Sequence, residues 1–287
     1  MVQKEARVFP YTWEQAIDVL RRDPQHRALI FDAYLTADLP ANARRFRAGD
    51  EFREVLRLLR TYFPGAKTVL DMPGGNGIAT AAFASNGFDV TAVEPDASAS
   101  VGRGAIATVL ASDGLSANVV EAFGEALPFP DASFDVVYVR QGLHHARDLP
   151  RMVAELARVL VPGGLLLATR EHVVDDYDSS LQAFLDSQVD HQLYGGEHAF
   201  TLEDYRSALR SAGLEAVEEL GPYDSSINLH PNTPATLADK IMATGIGRAL
   251  GVFLPRAAVV RIGMWRLRTM NAPGRLYTFL SRKPSSR

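Results

Sequence analysis

Between residues 66 and 172 the chain alternates five short apolar runs with helical segments, and this alternation limits its possible folds more than any other feature. The runs are Lys67–Met72, Phe88–Glu94, Ala117–Ala122, Phe134–Arg140 and Gly164–Arg170. Helical segments are expected between them at 77–86, 97–112 and 148–160. Such repetition predicts an α/β fold, a doubly wound Rossmann-like sheet that is mostly parallel with helices on both faces. Right-handed crossovers set the winding. Ligands of such sheets bind beyond the carboxyl ends of the strands.

The flanks read differently. Residues 11–62 are expected to be helical with a turn-like stretch at Asp38–Pro40, and Pro64-Gly65 ends the last helix. Phe52, Val55, Leu56, Leu58 and Leu59 recur there at helical spacing. Residues 173–200 are polar, aromatic and irregular. Thr201 and Asp204 make a capping-box-like start for a helix over 201–212, which Gly213 ends. A strand at Leu214–Leu220, helices over 234–264, a last strand at Leu276–Ser281 and a frayed KPSSR tail follow. The expected divisions are a helical cap at 1–65, a core at 66–172, substrate-covering insertions with later core elements at 173–265, and a final strand and tail at 266–287.

The formal net charge of -4 argues against a general nucleic-acid binder, which carries a basic face. The absence of cysteine excludes disulfides, thiolate metal sites and cysteine nucleophiles. MVQKEARVFPYTWEQ lacks the apolar run of a signal peptide, and no stretch is long and apolar enough to span a bilayer. A cytoplasmic protein with no nucleic-acid or membrane partner is expected; the oligomeric state stays open.

The most informative segment is TVLDMPGGNGIATAAFASNGFDVTAVEPD. A strand runs into Asp71, a glycine turn opens a helix, and a second strand ends in Glu94, whose carboxylate can accept both hydroxyls of a ribose. A dinucleotide would place its pyrophosphate near Asp71, which repels it. The acidic residue suits a cationic ligand instead. VLDMPGGNG resembles the first motif of class I S-adenosylmethionine-dependent methyltransferases, with Gly75 and Gly77 matching and Pro73 in place of the first glycine. EALPFPDASFDVVYVRQGLHH and ELARVLVPGGLLLATRE are similar to later segments of that family, in the same order. The resemblance implies a seven-stranded sheet with the last strand inserted antiparallel, S-adenosylmethionine as cofactor and a small-molecule acceptor. It places Asp71 near the methionine amino group and Glu94 on the ribose. It implies further cofactor contacts from Pro73, Gly75, Gly77, Pro95, Phe123, Gly124, Glu125 and Arg140. Phe123 stands where the family often has an acidic residue, so adenine is expected to rest on an apolar side chain.

Methyl transfer needs alignment and exclusion of water more than covalent help from the protein. A base is useful when the acceptor must lose a proton. Glu171, His144 and His145 are the candidates, each at the carboxyl end of a strand; packing by either histidine is the alternative. His172, Tyr194 and His198 are candidate acceptor contacts, the last two in a tract suited to a covering loop. Asp175, Asp176 and Asp178 can be read as ligands for Mg²⁺ or as a solvated acidic loop. Arg248, Arg256, Arg261, Arg266 and Arg268 can form an anion pocket or a charged surface. Phe9, Tyr11 and Trp13 can close the cleft or staple the first helix. A hydroxyl in a specialised metabolite or sugar is the expected acceptor. C-methylation of a prenyl diphosphate or other carbon nucleophile with Glu171 as base is an alternative, as is a non-catalytic cofactor-binding regulator. A macromolecular substrate and a dinucleotide oxidoreductase are further readings; the first would want a basic surface, and Asp71 opposes the second.

Overall fold

A computed structural model of the chain describes residues 9–285. Its N-terminal part is four helices: α1 (Trp13–Arg22), α2 (Arg27–Asp32), α3 (Leu39–Ala48) and α4 (Asp50–Tyr62). Thr12 and Gln15 form a capping box at the start of α1. Asp38 accepts the Ala41 backbone N–H, and Pro40 sits in the first turn of α3. The turn expected at Asp38–Pro40 is therefore a helix start. α4 buries Phe52, Val55, Leu56, Leu58 and Leu59, as their spacing predicts, and Glu51 with them.

The central alternation runs β1 (Thr68–Asp71), α5 (Ile78–Ser85), β2 (Asp89–Val93), α6 (Arg103–Ser112), β3 (Asn118–Val120), β4 (Phe134–Arg140), α7 (Leu149–Val159) and β5 (Leu160–Val174). Then come α8 (Ser179–Ser187), α9 (Val189–Tyr194), β6 (Phe200–Thr201), α10 (Leu202–Ser211) and β7 (Glu215–Leu220). The chain closes with α11 (Ser226–Leu229), α12 (Pro234–Ala243), α13 (Gly245–Gly251), α14 (Arg256–Thr269) and β8 (Arg275–Arg282). The strand order is β3-β2-β1-β4-β5-β8-β7, with β6 pairing β5 off this path. β1 to β5 are mutually parallel, and β8 is antiparallel to both β5 and β7. The expected seven strands are present; the two-residue β6 is additional. The order reverses between β1 and β4, which opens a cleft at their carboxyl ends.

Both faces of the sheet are packed. Phe46, Phe52, Leu58, Phe83, Ile106 and Tyr138 fill one side, under α3 to α6. Leu143, Val153, Leu156, Tyr205 and Phe279 fill the other, under α7 and α10. Each such side chain contributes roughly 1.5–3 kcal/mol on burial, enough to fix the sheet as a platform for its loops.

β5 carries the feature that shapes the cleft. Its register against β8 shifts between Ala168 and Glu171, and Arg170 lies in the left-handed region with φ 60°. A non-glycine residue stores strain there. The bulge breaks the simple up-down alternation. Arg170 reaches α11 and the loop after it, donating to the carbonyls of Ile227 and His230. Glu171 turns toward the loop after β4.

Several expectations are corrected. The irregular stretch 173–200 contains α8 and α9. The boundary expected at 265 falls inside α14. Lys283 is fastened rather than frayed: its backbone N–H donates to Gly164 and its ammonium to the Leu160 carbonyl. Residues 286–287 of the KPSSR tail and 1–8 of the N-terminal stretch lie outside the described residues. Among the described residues, no helix is long and apolar enough to cross a membrane.

Candidate functional site

Two adjoining cavities open at the carboxyl edge of the sheet. The smaller, about 100 Å³, is lined by Met72, Pro73, Pro95, Phe123, Gly124 and Glu125 among others. The larger, about 360 Å³, takes in Gly75, Asn76, Arg140, His144, Arg170 and His172 from the core. Trp13, Tyr194 and Glu197 roof it from the N-terminal helix and the segment after β5. His145 lines both.

The glycine turn is built around two carboxylates. Thr80 donates its hydroxyl to one oxygen of Asp71 at 2.6 Å. The other oxygen, Oδ1, is buried with no hydrogen-bond partner. Burial pushes the Asp71 carboxyl up to about 7; the Thr80 hydrogen bond opposes this and the charge of Glu94 adds to it. An orphaned buried carboxylate oxygen is costly unless a cation meets it, so the site fits the ammonium of an amino-acid moiety. Glu94 receives the backbone N–H groups of Gly75 at 2.8 Å and Asp96 at 2.9 Å. Burial raises its pKa, and these donors work the other way. Each of its oxygens keeps a lone pair for a further donor.

Gly75 has φ 51° and open space where a side chain would stand, so a ligand can approach its backbone. Gly77 is different. It caps α5 with φ 84°, and a Cβ there would lie 2.9 Å from the Ile106 Cα. α5–α6 packing is a second reason for glycine at this place in the turn. Phe123 is 54% exposed over the smaller cavity, with the Arg147 guanidinium 5.2 Å from its ring centre. Arg140 lies on the larger cavity and is held by buried Glu51 at 2.7 Å. Burial disfavours its charge, and Glu51 more than restores it.

Glu171 does not line either cavity. It is fully buried behind His144. Its carboxylate accepts the backbone N–H groups of Gly142 (3.0 Å) and His144 (3.1 Å) and faces His144 Nδ1 at 2.8 Å. The structure thus places Glu171 against the imidazole of His144 rather than on the cavity wall where a base in contact with acceptor was expected. His144 Nε2 points the other way, 3.6 Å from Glu197. Burial disfavours the charged imidazole, but Glu171 and Glu197 raise its pKa to about 9. Burial also opposes ionisation of Glu197, yet His144 and His145 hold it well below the usual carboxylate range. Tyr194 donates its hydroxyl to Glu197 at 2.6 Å. His172 Nδ1 faces the Gly274 carbonyl at 2.9 Å, and enclosure beside His144 pushes its pKa down to about 4. His145 ties the segment after α9 to the core through the Gly196 carbonyl at 3.0 Å.

Other candidates are not brought to this cleft. His198 stacks near Tyr177 and meets Phe200 edge-on, away from the cavity walls. Asp175 pairs with Arg275 at 2.6 Å, Asp176 accepts backbone N–H groups at the start of α8, and Asp178 is exposed. The three carboxylates thus serve separate ends. Arg256 pairs with Asp239 and Arg268 with Asp224 on the surface of the last helices. Of the N-terminal aromatics, Trp13 enters the cavity wall, against Tyr194 at 4.7 Å. Sequence reasoning missed Arg170 as a cleft residue and Glu51 as the partner of Arg140, and it singled out no role for Glu197 within the covering tract. The basic residue directly ahead of Glu171 was the one visible signal.

The fold and the glycine turn define a nucleotide-binding α/β enzyme with a second, polar cavity beside the nucleotide end. A model of the methyltransferase domain family matches residues 70–168. The chain is 33% identical over 189 residues to a ubiquinone/menaquinone biosynthesis C-methyltransferase of Shewanella frigidimarina, covering 58% of this chain and 73% of that one. A Marinomonas relative of the same description is 41% identical over 105 residues, 34% of this chain and 40% of its own. A Haemonchus contortus phosphoethanolamine N-methyltransferase, solved with phosphomonomethylethanolamine and S-adenosylhomocysteine, superposes with TM-score 0.60 at 14% identity. That likeness covers 96% of this chain and 61% of the other, and at such identity it speaks for the fold alone. The chain belongs to the class I S-adenosylmethionine-dependent methyltransferases.

Proposed function

We propose that the protein transfers the methyl group of S-adenosylmethionine to a hydroxyl oxygen of a small polar molecule seated in the larger cavity. The observation that carries this reading is the imidazole of His144, held from behind by Glu171 and aimed at the cavity beside Glu197. This is where an acceptor hydroxyl would be anchored, and its proton would pass to Nε2 in the fraction of protein whose imidazole is neutral, a fraction that grows as pH rises toward about 9.

The cofactor supplies a methyl group on a positively charged sulfur, which already leaves well. Asp71 Oδ1 takes the ammonium, and Glu94 receives the ribose hydroxyls. Phe123 and Gly124 border the slot for adenine. Arg170 and Arg140 place two guanidiniums on the acceptor cavity; Arg140 is paired from behind by Glu51, and Asp32, Asp190 and Glu197 line other parts of the wall. Among the described residues the Arg170 guanidinium bonds only to carbonyls and keeps its Nε without a hydrogen-bond partner, so an acceptor with a carboxylate or phosphate would suit that side of the cavity.

A second reading has its own support. The Shewanella and Marinomonas relatives are named as C-methyltransferases. A ring carbon next to a phenol hydroxyl becomes nucleophilic once that hydroxyl loses its proton, so the same anchoring would serve it. The prenyl diphosphate variant has less support, because its acidic loop and its base both lie off the cavity.

The test is an acceptor screen with S-adenosylmethionine, read by mass spectrometry and followed by NMR of the product. An O-methyl resonance on a hydroxylated anionic acceptor supports the first reading, and a C-methyl resonance supports the second. Turnover on neither class, in a protein that binds S-adenosylhomocysteine, would leave a cofactor-binding regulator.

A further inference from the structure

The polar end of the acceptor cavity has a composition that proton transfer alone does not require. Among the described residues, His144, His172 and Glu197 are the one group of histidines and carboxylates that could together hold an ion, with one donor atom from each within 4.8 Å of the others. Both imidazoles are pinned by the opposite nitrogen. His144 Nδ1 faces Glu171 at 2.8 Å, and His172 Nδ1 faces the Gly274 carbonyl at 2.9 Å. Each Nε2 is thereby left for the cavity. Glu197 is held in turn by the Tyr194 hydroxyl on Oε1, which leaves Oε2 3.6 Å from His144 Nε2. A carboxylate behind one histidine and a carbonyl behind the other are the outer partners that orient metal-binding imidazoles.

We propose that His144, His172 and Glu197 bind a divalent first-row transition-metal ion, and that this ion takes the acceptor's oxygen in the larger cavity. Two imidazole nitrogens and one carboxylate suit Zn²⁺, Fe²⁺ or Mn²⁺, whereas Mg²⁺ prefers oxygen ligands. Ligand distances near ~2.1 Å ask the donor atoms to draw in to about 3–3.5 Å of one another. Glu197 follows Gly195-Gly196 in a loop rather than a helix or strand, where the backbone can supply that movement. Three protein ligands on a cavity wall leave coordination positions open to a substrate.

The inference rests on the hydroxyl reading only for the identity of the acceptor atom. A metal-bound hydroxyl loses its proton to solvent far more readily than a free one. Its oxygen then bonds to the methyl carbon as the carbon–sulfur bond breaks, with that bond's electron pair staying on sulfur. The products are the methyl ether and S-adenosylhomocysteine, and the ion keeps its oxidation state.

The experiment uses the full chain without an affinity tag, stripped with a chelator, dialysed with Zn²⁺ and assayed for bound metal. The wild type is expected to retain about one ion per chain. His172→Ala and Glu197→Gln should fall to background, and Glu171→Gln should bind about 10–100-fold more weakly. The melting shift with S-adenosylhomocysteine should persist in all three, which shows that they are folded. Zn²⁺ retained equally by wild type and ligand variants, or by none of them, overturns the metal site. Site-specific Zn²⁺ binding without turnover on any hydroxyl acceptor upholds the site and sinks the O-methylation reading instead.

Discussion

Glu171 stands directly behind His144, 2.8 Å from Nδ1, and both side chains are buried to within 1%. The β5 bulge at Arg170 and the loop after β4 create this contact between residues 27 positions apart. Its consequence is a fixed imidazole. With Nδ1 committed to the carboxylate, only Nε2 is offered to the cavity, and the ring cannot turn away.

Glu171→Gln should therefore damage turnover without touching the cofactor. The amide still fills the space, but it no longer favours a proton on Nδ1 or balances charge on the ring. Turnover is expected to fall by about 10²-fold or more, with unchanged affinity for S-adenosylhomocysteine by calorimetry. Wild-type turnover in this variant would remove Glu171 from any role in the chemistry.

With Asp71 on the cofactor's ammonium, as proposed, its carboxyl would set a pH dependence on binding. Its carboxyl is raised to about 7, first by burial, with Thr80 opposing and Glu94 adding to the rise. In the free protein it is largely protonated below that pH, whereas the unfolded carboxyl ionises near ~3.9. This group's contribution to stability thus declines as pH rises from ~3.9 to about 7. An ammonium beside Oδ1 reverses the preference, so binding releases a proton. Affinity for S-adenosylhomocysteine should climb by up to about tenfold per pH unit below 7 and level off above it. Asp71→Asn should bind weakly with no such slope, measured between about pH 6 and pH 8. A slope that survives in the variant would assign the proton to another group.

What could be read from the sequence was local. Thr201 and Asp204 cap α10 as expected because the two partners are three residues apart. The glycine turn and the buried face of α4 were legible for the same reason. Distant pairings were not. Glu51 and Arg140 meet across 89 positions, and Glu197 reaches His144 across a cavity that no periodicity announces. β5 was expected to stop at Arg170, because Glu171 and His172 break the apolar run. The strand instead continues to Val174; Arg170 and His172 on it line the larger cavity and Glu171 backs His144. α8 and α9 escaped notice because they bury few residues: Ser180 and Phe184 in α8, none in α9.

The Glu51–Arg140 pair gives a stability prediction. Glu51 is 2% exposed and accepts from Arg140 Nε at 2.7 Å. Removing one partner leaves a buried charge uncompensated. Glu51→Ala should cost about 3–5 kcal/mol by denaturant unfolding. Replacing both partners, as Glu51→Leu with Arg140→Met, should recover much of that loss. A loss in the single variant below about 1 kcal/mol would mean that water or another anion reaches Arg140.

Phe123 separates a ligand contact from a structural one. Its ring is 54% exposed and borders the smaller cavity with Met72, Pro95 and Met152. An exposed aromatic ring contributes little to the free protein, and its truncation should change stability by less than about 0.5 kcal/mol. An adenine resting on it would change that balance, because stacking buries the ring's face. Phe123→Ala should then weaken S-adenosylhomocysteine about three- to tenfold, roughly 0.7–1.4 kcal/mol. Gly124→Leu should crowd the same slot: a Cβ at Gly124 lies 2.9 Å from Met152 Cε and 3.1 Å from Met72 Cε, so the buried methionines must shift and the free protein should melt somewhat lower. Loss of affinity in both variants, with unchanged melting of free Phe123→Ala and a still cooperative unfolding of Gly124→Leu, would assign adenine to this slot. Loss in Gly124→Leu alone would keep adenine beside Gly124 but take it off the phenyl ring. Undiminished affinity in both would move the nucleotide elsewhere along the edge of the sheet.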